Sequence, residues 1–149
     1  MAADRLLETA KAQADSQVSE RNAREKAELM RQLGMDEGES VTKASRTMIR
    51  QLEEDQKRRS KRALTDAIDR ALIDLLAIYR DVLMIQVGGD GELINTDLAD
   101  LVGQIASDST PRQTLARVDH IETARKRLVS NGNPLLVLED MAISLRPQA

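Results

Sequence analysis

The stretch from Leu64 to Val87, LTDAIDRALIDLLAIYRDVLMIQV, decides the fold class. Its apolar residues fall at Leu64, Ile68, Ala71, Leu72, Leu75, Leu76, Tyr79, Val82 and Leu83, steps of three and four that trace one face of an α-helix. Ile73, Ile78, Met84 and Ile85 widen the stripe until little of the last turns is polar. A helix this apolar must be wrapped by others, which makes it the core helix of an all-α domain. It also holds the chain's single tyrosine, Tyr79, followed directly by Arg80 and Asp81.

Composition agrees with that reading. At 149 residues the chain is one domain's worth of sequence. Aromatic content is 1%, with no Trp or Phe, so the core rests on Leu, Ile, Val, Ala and Met, which suits helix-on-helix packing. The absence of cysteine excludes disulfides and thiolate metal sites, and fits a reducing cytoplasm. A lone histidine, His120, excludes a His-rich metal cluster. The net charge of −3 argues against a dedicated nucleic-acid binder. No run approaches the roughly 20 apolar residues needed to span a bilayer. MAADRLLETAKAQADS at the N-terminus has no apolar signal core. The expectation is a soluble, cytoplasmic protein.

Upstream of the core helix, residues 2–33 are rich in helix formers and lack Pro and Gly, and Gly34 is a natural helix terminator. GMDEGES (34–40) reads as an acidic loop. A second helix begins near Val41 to Ser45, and its Met48, Ile49 and Leu52 can pair with Leu29, Met30 and Leu33 in an antiparallel hairpin. Glu53, Glu54 and Asp55 each stand four residues ahead of Lys57, Arg58 and Arg59, a favourable helical orientation worth roughly 0.2–0.5 kcal/mol per pair. The helix is therefore expected to run on to Val87, with Ser60 or Thr65 as places for a bend.

Downstream, Gly88, Gly89, Asp90 and Gly91 end the core helix. Asn95 or Thr96 is expected to cap a short helix whose buried face is Leu98, Leu101, Val102 and Ile105. Thr110-Pro111-Arg112-Gln113 satisfies the capping-box pattern and opens a helix using Leu115, Val118, Ile121, Ala124, Arg125 and Leu128 inward or half-inward. Asn131-Gly132 stops it, and Asn133-Pro134 starts a last helix burying Leu135, Leu136, Leu138, Met141, Ala142 and Leu145.

No catalytic motif stands out. Lys57 to Arg62 could touch nucleic acid, but acids lie one turn upstream and no aromatic side chain interleaves, so a solvated face is the better reading. His120 reads as a surface residue. Asp97 and Asp100 suit a helix start, where the macrodipole favours negative charge. Gly88 to Gly91 lacks the Lys-Ser/Thr of a phosphate loop. Arg80-Asp81 sits on an otherwise apolar helix and must reach the rim or a fully hydrogen-bonded network. A rim pair ordering a loop is the first reading, an intersubunit contact the second.

Three segments carry a resemblance. They are Tyr79-Arg80-Asp81-Val82-Leu83; Leu93-Ile94-Asn95-Thr96-Asp97; and a closing set of Ile121, Ala124, Arg125, Leu128, Asn131, Asn133, Pro134, Leu136, Leu138 and Glu139. In order and spacing they resemble the clamp-loader subunits of bacterial DNA polymerase III, the delta-prime branch most of all. The resemblance is tight from about Leu52 to Leu145. It implies a fragment: a helical collar domain without the two ATPase-type (AAA+) modules that precede it in the family. The collars of five subunits in that family pack into a ring, and the modules place the sliding clamp on primed DNA.

The resemblance thus implies a non-catalytic oligomerisation domain with no cofactor, no metal and no small-molecule substrate. Its partners are the tau/gamma and delta subunits, with the clamp and primed DNA reached only through the full complex. Residues 1–52 would be a charged helical hairpin and residues 53–149 the collar. Tyr79, Arg80, Asp81, Asn95, Asp97, Asn131 and Asn133 are the candidate subunit-interface residues. The alternatives are a tau/gamma collar, a helical adaptor unrelated to replication, and a nucleic-acid-binding hairpin using Lys57 to Arg62.

Overall fold

The computed structural model describes residues 2–34 and 42–147. The fold is all-α, with helices α1 (Ala2–Gln32), α2 (Lys43–Gln86), α3 (Ala99–Asp108), α4 (Pro111–Val129) and α5 (Pro134–Ser144), and a 3-10 turn at Thr96–Leu98. None of the described helices is long and apolar enough to cross a membrane. The acidic loop expected after Gly34 falls, from residue 35 to 40, outside the described residues.

α2 is one continuous helix of 44 residues, as the absence of Pro and Gly from its sequence permits. It ends where Gly88 enters the left-handed region at φ +69°. Gly89 N–H then donates to Met84 O (3.0 Å) and Gly88 N–H to Ile85 O (3.2 Å), the paired bonds of a Schellman ending. α4 opens on the expected capping box: Thr110 Oγ1 accepts from Gln113 N–H, and Gln113 Oε1 accepts from Thr110 N–H. α5 opens on Asn133, whose side chain accepts from Leu136 N–H.

The chain divides into two compact units. One comprises Glu8–Ala67 and contains most of α1 and the first part of α2. Its fully buried apolar residues are small: Ala10, Ala14, Val18 and Ala67. Polar ties also link its two helices, and they run antiparallel. Lys26 pairs with Glu53 at 2.9 Å, Arg59 with Glu25 at 2.7 Å, and Gln56 Nε2 donates to the Asn22 carbonyl at 2.7 Å. These ties correct the expected local pairing. Glu53 and Arg59 reach across to α1, and Asp55 pairs with Arg58 three residues on.

The other unit comprises Met1–Leu7 and Ile68–Ala149 and has the larger core. Ile68, Leu72, Val82, Val102, Ile121 and Leu138 are all at most 1% exposed. Sequence expectations fail at several places on its surface: Ile73 and Ile85 of the core-helix stripe are 44% and 42% exposed, since a helix wrapped on part of its girth leaves the rest to solvent. Leu101, Leu115 and Leu136 are 47%, 51% and 64% exposed, whereas Thr114, Arg117 and Val137 are buried. In α4 the inward face is turned by a residue in its first turns, so Thr114 and Arg117 take the place assigned to Leu115. A stripe with steps of three and four leaves that rotation open, because it fixes the period and not the phase.

Candidate functional site

Asp81 is the centre of the arrangement. Its side chain is fully buried near the end of α2 and accepts four hydrogen bonds. Ile94 N–H donates to Oδ1 (2.9 Å), Asn95 N–H and Asn95 Nδ2 donate to Oδ2 (2.8 and 3.0 Å), and Arg80 Nη1 donates to Oδ1 (3.0 Å). Burial alone would push this carboxyl up, but the four donors outweigh it and hold the pKa down at about 2. Arg80 lies half in solvent and its guanidinium also donates to the Glu92 carbonyl (3.1 Å). The pair therefore pins the 92–95 segment against α2.

A second polar peg stands one and a half turns further along α2. Gln86 Nε2 donates to Ser109 O (2.9 Å), Ser109 Oγ (3.1 Å) and Ala106 O (3.3 Å), while its Oε1 accepts from Thr114 Oγ1 (2.8 Å). It ties the end of α3 and the start of α4 to the core helix. Farther back, Arg125 on α4 grips Asp69 on α2 through two nitrogens (2.7 and 3.3 Å) and reaches Glu122. Gln86 and Thr114 escaped the sequence reading. The usable signal was Gln86 itself, a polar side chain inside the apolar run Met84-Ile85-Gln86-Val87 that has to find partners once buried.

The seven interface candidates separate into two places. Arg80, Asp81 and Asn95 meet in one hydrogen-bonded cluster beside buried Tyr79, whose phenol is pushed up by burial and drawn down by the Arg117 charge. Asp97 is exposed in the 3-10 turn that follows. Asn95 stands at the head of that turn but makes no side-chain cap, because its amide is committed to Asp81; this corrects the expected capping role. Asn131 and Asn133 belong to the α4–α5 turn, where Asn131 holds φ +64° and Asn133 caps α5. His120 is exposed. Among the described residues no three of His, Cys, Asp or Glu gather as a metal site.

The architecture is therefore a scaffold: a core helix with polar pegs that order the loops around it, closed by two capped helices. Residues 43–146 match the family described as the C-terminal part of the delta subunit of DNA polymerase III, and the chain belongs to that family. The match spans α2 to α5 and leaves α1 outside it. Over 72 residues the chain is 39% identical to DNA polymerase III subunit delta' of Bacillus subtilis (strain 168), an alignment covering 48% of this chain and 22% of that protein. The chain thus matches about a fifth of that relative's length. No solved structure matches it.

Proposed function

We propose that this chain is the collar of a clamp-loader subunit of the delta-prime kind, a non-catalytic domain that joins its neighbours into the assembly. The family match from residue 43 to 146 carries the reading. The residues that signal the family are engaged in building the scaffold: Asp81 and Asn95 in the loop knot, Arg125 in a cross-helix ion pair, Asn131 and Asn133 in the turn and cap. That leaves partner contact to exposed side chains. Ile94 and Leu136 are more than 60% exposed, large apolar groups of the kind that association covers. The partners on this reading are the collars of the tau/gamma and delta subunits, with the sliding clamp and primed DNA engaged through the whole complex.

Within this reading Arg80 and Asp97 are the side chains available to a neighbour: the other exposed members of the candidate set, Asn131 and Asn133, shape the α4–α5 turn and its cap. The test is co-purification of the full-length subunit carrying this domain with tau/gamma and delta from the same source. Association is expected with the wild-type chain, and Asp97→Lys and Leu136→Asp are expected to weaken it at least about tenfold, as loss of a central contact does. No association by the wild type, with helical content intact by circular dichroism, sinks the proposal.

A further inference from the structure

Arg117 is a largely buried cation with no hydrogen-bond or ion-pair partner among the described residues, its charge felt by the Tyr79 phenol. The residue is 9% exposed, and among the described residues no acceptor lies within hydrogen-bonding or ion-pair distance of its guanidinium. Buried charges are normally paired, because desolvating an ion costs several kcal/mol. None of its nitrogens is sealed from solvent without a partner, so the group opens onto a space. That space is a cleft of about 50 Å³ lined by Gln113, Ala116, Arg117, His120, Ser144 and Arg146.

The lining is one-sided in charge. Gln113, Ala116, Arg117 and His120 stand at i, i+3, i+4 and i+7, one face of α4, and Ser144 and Arg146 close the cleft from the end of α5. No carboxylate lines it. The capping box fixes the amide of Gln113: its Oε1 accepts from Thr110 N–H, which leaves Nε2 as a donor with no acceptor among the described residues. The C-terminal end of α5 brings about half a negative charge at most, against two guanidinium groups. The volume exceeds the roughly 10–15 Å³ that one water needs, so a small planar oxyanion has room.

We infer that the Arg117 cleft is a receptor for a single carboxylate, presented by an acidic side chain of a partner protein. Arg117 offers it a two-pronged fork, with Gln113 Nε2 and Arg146 as further donors. The source of that carboxylate rests on the assembly role proposed above; the cleft's affinity for a carboxylate does not.

His120 is the one histidine of the chain and lines the cleft, so its ring proton signals report on occupancy without ambiguity. In the full chain at fixed pH and ionic strength, sodium acetate is expected to move those signals along a saturating curve, and acetamide, its neutral counterpart, to leave them in place. Arg117→Met is expected to weaken acetate binding by about tenfold to a hundredfold, the value of a charged hydrogen-bonding pair. Should that variant fail to fold, exposed Arg146→Ala reads the same site and is expected to weaken acetate severalfold. A non-saturating drift shared by wild type and either variant overturns the cleft as a site. Inorganic phosphate binding more than about tenfold tighter than acetate overturns the carboxylate in favour of a phosphate group. An Arg146→Ala chain that loses acetate yet still co-purifies fully with tau/gamma and delta overturns the partner's acid as occupant. Acetate binding by a wild-type chain that associates with neither subunit leaves the cleft standing and fails the assembly reading alone.

Discussion

Asp81 shows how one residue sets the conformation of a loop. A carboxylate with four donors and no exposure is stable only while ionised, so its contribution to folding depends on pH. The folded pKa is depressed from 3.8 to about 2, and the contribution is therefore complete above the unfolded value and lost as pH falls toward 2. The shift corresponds to about 2 kcal/mol. Urea unfolding of the wild type between pH 5 and 2 is expected to show this loss in excess of that shown by Asp81→Asn. The asparagine should cost about 2–4 kcal/mol at neutral pH, because its NH2 meets backbone N–H groups where an oxygen stood. Equal acid sensitivity in the two proteins would remove Asp81 from the account. The sequence exposed part of this. An Arg-Asp pair on an apolar helix announced a polar network, but nothing in it distinguished a rim pair from a carboxylate buried under Ile94 and Asn95, whose backbone donors come from a segment with no periodic pattern.

At the scale of elements, the boundaries were the legible part and the helix faces were not. The capping box at Thr110, the cap at Asn133 and the end of α2 at Gly88 follow from local chemistry, and each is where the sequence puts it. Facing depends on neighbours, which is why Leu115 and Leu136 lie out and Thr114 and Arg117 lie in. The α4–α5 turn is closed by backbone hydrogen bonds. Asn131 adopts φ +64°, Gly132 N–H donates to Arg127 O (2.8 Å) and Asn131 N–H to Leu128 O (3.3 Å). A Cβ on Gly132 would stand 2.7 Å from the Arg127 carbonyl oxygen and 2.9 Å from Val137 Cγ2. The carbonyl is bound into that turn and cannot yield cheaply. Gly132→Ala is expected to cost about 1–3 kcal/mol, whereas Asn131→Gly, which removes the Cβ from a left-handed position, is expected to be neutral or better. Thermal unfolding followed by circular dichroism decides it; an unperturbed Gly132→Ala would show that the turn has room to relax.

Over the whole molecule the two units rely on different forces. Residues 68–146 bury large aliphatic side chains to 1% exposure or less, a kind of packing that salt does not screen. Glu8–Ala67 buries three alanines and a valine and is tied by ion pairs that reach solvent: Arg59–Glu25 with both side chains 29% exposed, and Lys26–Glu53 at 45% and 50%. The Arg59 guanidinium holds the Glu25 carboxyl below the usual range, so this pair is felt electrostatically in the folded unit. Such interactions fade as the screening length shortens from about 10 Å at 0.1 M salt to about 3 Å at 1 M. Hydrogen exchange should therefore separate the units. Amides of residues 8–32 and 43–67 are expected to lose protection when sodium chloride is raised from about 0.1 to 1 M, while those of α4 and α5 hold or gain slightly. Arg59→Gln at low salt should reproduce much of the loss, because it removes the charge while keeping a donor near Asn22, whose Oδ1 accepts from Arg59 at 2.9 Å. If salt leaves both units equally protected, the small alanine core suffices for Glu8–Ala67 and its charged ties are ornament to the fold. Salt lability confined to Glu8–Ala67 would instead mean that α1, which lies outside the family match, is held by a force the cell's ionic strength can tune.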